Sequence, residues 1–83
     1  MPQPFRNMFK DLRKPHERLS AMQYACAAGA VHGLTKTAIG KKLYINRRTV
    51  AIHINRALTY MNLPDISALK AYAKKHGVFN AFP

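Results

Sequence analysis

Apolar positions recur at helical spacing along most of the chain, and no stretch alternates with the two-residue period of a half-buried strand. Phe5, Met8, Phe9 and Leu12 fall at i, i+3, i+4 and i+7, the face of a short helix. Ser20-Ala21-Met22-Gln23 has the form of a capping box, in which hydroxyl and amide side chains satisfy each other's backbone donors. It predicts a helix from Ala21 to about His32. The middle of that helix is small (Ala25, Ala27, Ala28, Gly29, Ala30), which predicts close approach by its neighbours, and Gly33-Leu34 reads as a left-handed end cap.

Thr35 can cap a second, short helix over 36–42, with Ala38, Ile39 and Leu43 turned inward. Leu43-Tyr44-Ile45 is too short and too apolar for a free loop, so it predicts a tight connection pinned into the core. Asn46 caps a third helix that runs to about Met61. Pro64-Asp65 opens a fourth, with Ile66, Leu69 and Ala73 as its stripe and Gly77 as its stop. Phe79 and Phe82 are expected to cover part of the core. The pattern therefore predicts an all-α, four-helix domain over 19–77. Before it lies a basic, partly amphipathic arm or helix, 1–18, and after it a tail, 78–83.

The third helix carries the candidate chemistry. At ~100° per residue, Val50, Ile54, Ala57, Leu58 and Met61 gather on one side, while Arg48, Ile52, Asn55, Arg56 and Thr59 gather opposite. No acidic residue lies between Asn46 and Asn62. Such an outer face suits a DNA major groove: Arg48 can pair bidentately with guanine, Asn55 with adenine, and Ile52 can bury itself on a thymine methyl. Arg47 and Thr49, at the positive helix N-terminus, suit backbone phosphate, and Lys36, Lys41, Lys42 and Arg56 extend the basic footprint.

Composition strengthens the electrostatic part of this reading. Across 83 residues, 14 Lys and Arg oppose three carboxylates (Asp11, Glu17, Asp65), a formal charge of +11 that favours an anionic partner. The single cysteine, Cys26, sits in an apolar run and reads as a small buried hydrophobe, which fits a reducing cytoplasm. The run 21–31 is too short to span a bilayer and the N-terminus lacks a signal-peptide core, so a cytoplasmic, nucleoid-associated location is expected. His16, His32, His53 and His76 are scattered without partners at metal-ligand spacing, and His53 reads as a packing or phosphate-touching residue. Ser20 and Ser67, at helix starts, read as caps rather than nucleophiles. No acid/base pair or glycine-rich phosphate loop is present, so neither catalysis nor a cofactor is expected.

Several short motifs add a resemblance. Leu19-Ser20, Gly33-Leu34-Thr35, Ile39-Gly40, Leu43-Tyr44-Ile45-Asn46, Thr49-Val50, His53 and Leu58 are spaced, without a gap, as in the LuxR/GerE-type helix-turn-helix domain. Over 19–63 the chain resembles that family, with the sigma-factor four-helix DNA reader as a near neighbour. The resemblance implies that the positions of Ala51, Ile52 and Asn55 face bases and that Thr49 and its neighbours bind phosphates. It also implies that the fourth helix supplies a dimer contact, for which Ile66, Leu69, Tyr72 and Ala73 are candidates. Their stripe also suits packing within the chain. The match has departures. Ala51 stands where the family often has a basic residue, Ala38 where it has an acid, and Ala21-Met22-Gln23-Tyr24 where it has a charged run. The segment 1–18 is too short for the sensor domain common in the family, so regulation is expected from abundance, a partner or the Phe5–Leu12 segment.

Together these readings lead to a sequence-specific transcription regulator that binds double-stranded DNA as a homodimer. Two others stay open: a module that binds another regulator or RNA polymerase through Phe5, Met8, Phe9 and Leu12, and a non-specific, nucleoid-type DNA coat.

Overall fold

The computed structural model describes residues 14–80 and 82. The amphipathic positions Phe5, Met8, Phe9 and Leu12 lie outside that range. Within it, a 3₁₀ turn, Pro15–Arg18, leads into four helices: α1 (Ala21–Val31), α2 (Lys36–Leu43), α3 (Arg47–Tyr60) and α4 (Ile66–His76). No strand occurs among the described residues.

Each helix begins at a side chain that accepts one of its orphan amides. The Gln23 N–H donates to Ser20 Oγ (3.2 Å) and the Ser20 N–H to Gln23 Oε1 (3.0 Å), completing the capping box. Thr35 accepts from the Ala38 N–H (3.1 Å), Asn46 from the Thr49 N–H (2.8 Å) and Asp65 from the Ala68 N–H (2.9 Å). Ser67, expected to cap, lies exposed in the first turn of α4, where Asp65 already does so. At the other end of α1, Gly33 turns left-handed (φ 81°) and the Leu34 N–H returns to the Gly29 carbonyl (3.1 Å). Gly77 ends α4 in the same conformation.

α1 is the hub and packs against α2, α3 and α4. Its run of small residues makes this possible: Cys26, Ala27, Ala28, Gly29 and Ala30 are all buried. A Cβ on Gly29 would lie 2.7 Å from Ile39 Cγ1 and 3.1 Å from Phe82 Cε1, so the α1–α2 crossing is closer than a methyl group permits. Around this seam gather Ile39, Val50, Ile54, Ala57, Met61, Leu69, Ala73 and Phe79. Each large aliphatic or aromatic side chain buried there contributes on the order of 1.5–3 kcal/mol.

One feature differs from the sequence expectations. Tyr44 is not pinned into the core: it is 93% exposed. It occupies the left-handed C-cap of α2 (φ 60°, ψ 39°), which turns its side chain outward while Leu43 and Ile45 on either side are half-buried. The end of the arm packs on the domain. His16 Nδ1 lies 3.0 Å from Tyr72 Oη, Arg18 Nη1 donates to the Tyr60 carbonyl (3.4 Å), and Leu19 packs on the core. The packed unit therefore includes Pro15–Arg18. Leu58 is half-buried and packs against the core at the margin of the buried face.

The tail is also more closely integrated than a cover. Phe79 is buried against Tyr24 with ring centroids 4.5 Å apart. Its N–H donates to Tyr24 Oη (3.0 Å), and its carbonyl accepts from His32 Nε2 (3.0 Å).

Candidate nucleic-acid interface

α3 divides its side chains sharply. Val50, Ile54 and Ala57 are buried against the rest of the domain, whereas Arg47, Arg48, Ile52, Asn55, Arg56 and Thr59 are exposed. Ile52 leaves 43% of its surface in water and does not belong to the buried core. Ala51 and Thr49 are half-buried at the edges of this face. Thr49 presents less of itself than the expectation of a phosphate contact assumed, and its amide is already held by Asn46. Thr59 turns its hydroxyl back to the Asn55 carbonyl (3.0 Å), leaving Asn55 and the arginines as the outward-facing polar groups.

The connection before α3 sets its approach. The Tyr44 and Ile45 amides both return to the Gly40 carbonyl, the second at 3.0 Å. A Cβ on Gly40 would stand 2.5 Å from the Ile45 carbonyl oxygen, a backbone atom that cannot swing aside. Gly40 is thus the residue that lets α2 and α3 meet in so tight an elbow. Lys41 and Lys42, exposed at the end of α2, and Arg47 and Arg48, exposed at the start of α3, flank that elbow. Lys36 sits at the far end of α2. The structure groups it with Thr35, Leu34, Ile54, Ile66 and Lys70 along a shallow groove rather than with the elbow. Lys70 was not among the sequence candidates, because its nearness to Lys36 depends on how α4 packs.

The electrostatics of this face are one-sided. No carboxylate occurs from Lys36 to Asn62. Both described carboxylates are engaged elsewhere as caps: Glu17 accepts the Lys14 N–H (2.7 Å) and Asp65 the Ala68 N–H (2.9 Å). Neither is placed to neutralise the arginines of α3. His53 is half-buried, and its Nδ1 is shielded from water without a hydrogen-bond partner among the described residues. Its position is at the edge of the outer face. Cys26 has no exposed surface, and burial pushes its thiol pKa up.

All four residues offered to a second copy pack within the chain, two of them in its buried core. Leu69 is completely buried and Ala73 nearly so. Ile66 is half-buried, and Tyr72 stacks on His76 (centroids 4.2 Å apart) while His16 meets its hydroxyl. The α4 stripe is satisfied intramolecularly because it faces α1, leaving Ser67, Lys70, Ala71, Lys74 and Lys75 outward.

Comparison with protein-family models, with curated proteins and with solved structures found no match to this chain.

Proposed function

We propose that the chain is a sequence-specific, double-stranded DNA-binding transcription regulator of the LuxR/GerE helix-turn-helix type, with α3 as its recognition helix. One observation carries the reading: α3 exposes Arg47, Arg48, Ile52, Asn55 and Arg56 along a helix free of carboxylates. An exposed isoleucine among cations gains nothing from water and much from a thymine methyl. Arg48 and Asn55 supply the two side-chain types that read guanine and adenine by paired hydrogen bonds. Lys41, Lys42 and Arg47 flank the α3 N-terminus, whose free amides and dipole attract phosphate, and Arg56 extends the contact further along the helix. Lys36 and Lys70 form a separate basic edge that can follow the same backbone.

Ala51 offers no hydrogen bond, so base reading rests on Arg48, Ile52 and Asn55. A homodimer on a two-fold site belongs to the proposal, but Leu69 and Ala73 cannot hold it. A second copy would meet the edges of α4 at Ile66 and Tyr72, or two copies would be juxtaposed by the DNA alone.

Titration of labelled duplex DNA against salt tests the proposal. Binding should weaken as salt rises, and Lys42→Ala or Arg47→Ala should each lower the log–log slope by about one. Asn55→Ala and Arg48→Ala should each reduce the preference for a selected site over random duplex, by about 1–3 kcal/mol. Parent and variants binding every duplex alike would show that α3 does not read bases.

A further inference from the structure

Among the described residues, three non-glycine positions adopt the left-handed backbone conformation: Tyr44 (φ 60°), Asn62 (φ 58°) and Phe79 (φ 59°). For a bulky side chain this conformation is strained, whereas asparagine tolerates it. Asn62 is therefore unremarkable. Phe79 has compensation inside the chain, since its ring is buried against Tyr24 and both its backbone groups are hydrogen-bonded by side chains. Tyr44 has its amide bonded to the Gly40 carbonyl, but its ring has no such burial. It is 93% exposed, the most exposed of the large apolar side chains among the described residues. Glycine or asparagine would make the same turn with less strain.

What surrounds Tyr44 is charge of one sign. Lys41 and Lys42 precede it and Arg47 and Arg48 follow it, all exposed, at the elbow that leads into α3. We propose that Tyr44 is a DNA-contacting residue, its ring lying against deoxyribose and its hydroxyl donating to a phosphate at the edge of the groove that α3 enters. The inference rests on the function proposed above. A recognition helix that enters by its N-terminal end brings the preceding elbow to the sugar–phosphate wall, where tyrosine is among the side chains that bond phosphate oxygens. The lysines and arginines hold the anionic backbone there, and the ring adds an uncharged contact that excludes water from the sugar.

The test uses the full chain, a fluorescein-labelled duplex of random sequence, and Tyr44→Asn and Tyr44→Phe. Tyr44→Asn should weaken binding about fivefold or more, the low end for an aromatic contact to a nucleotide. Its salt slope should be unchanged because no charge is lost, and its melting temperature should be equal to or above the parent's. Tyr44→Phe should retain part of the affinity, separating ring from hydroxyl. Equal affinity for parent and Tyr44→Asn overturns the inference while leaving the proposed function intact. So does a loss of affinity that appears only with a fall in melting temperature, which would make the ring structural. If the parent fails to bind the duplex at all, both the proposed function and this contact are overturned.

Discussion

α1 and α3 are neighbouring helices with opposite commitments. α1 turns inward: six of its eleven residues are buried, none is charged, and its polar Gln23 is held in its own cap. α3 buries only Val50, Ile54 and Ala57 and points three arginines, an asparagine and an isoleucine at solvent. Two isoleucines express the contrast in one residue type. Ile39, packed on Gly29 of α1, has no exposed surface, while Ile52 is 43% exposed. Where hydrophobic contact already exists a side chain reports on folding. Where it is missing, the side chain is free to serve the proposed base contact.

That division can be broken by substitution. The largest effect is expected at Ile39→Ala, which should cost about 3 kcal/mol in urea unfolding, the range for a fully buried aliphatic side chain. Ile52→Ala should leave stability within about 0.5 kcal/mol, as surface changes do. A comparable loss from both would erase the distinction.

Next in size is Arg48→Ala. Its expected loss is about 2 kcal/mol of discrimination against the wrong base, measured as the affinity ratio of a selected site to random duplex. Its unfolding midpoint should match the parent's. Asn46→Ala should do the reverse on a smaller scale, removing the α3 cap at a cost of about 1 kcal/mol in stability.

The smallest effect belongs to Cys26. Its pKa is raised in the folded state, so above the ordinary thiol value of 9.0 the unfolded chain loses a proton that the folded chain keeps. Stability from this group is therefore complete below that pH and declines as pH rises through it. The urea midpoint should drift down across that window in the parent and less so in Cys26→Ala. An alkaline drift unaffected by Cys26→Ala would place its origin in other groups.

The local parts of this organisation were legible in the sequence because their causes are local. A hydroxyl, amide or carboxylate three residues ahead of its amide partner makes a cap wherever it occurs, so Ser20, Thr35, Asn46 and Asp65 could be read directly. The small residues of α1 signalled a close crossing, and the 3.6-residue period separated the two faces of α3. Features set by packing were not legible. His32 and Tyr24 meet Phe79 across 47 and 55 positions, and His16 meets Tyr72 across 56. The stripe of Leu69 and Ala73 looks the same whether a second copy or α1 covers it. Tyr44 was misplaced because three apolar letters in a row suggest burial, whereas a left-handed C-cap turns the middle one out.

The central claim is that the outer face of α3 reads base pairs, and selection of bound duplexes from a random pool tests it most directly. The parent should enrich a defined motif, and Asn55→Ala should lose the preference at one A·T position while retaining the rest. Binding without any enriched motif, or an identical motif from Asn55→Ala, would contradict it.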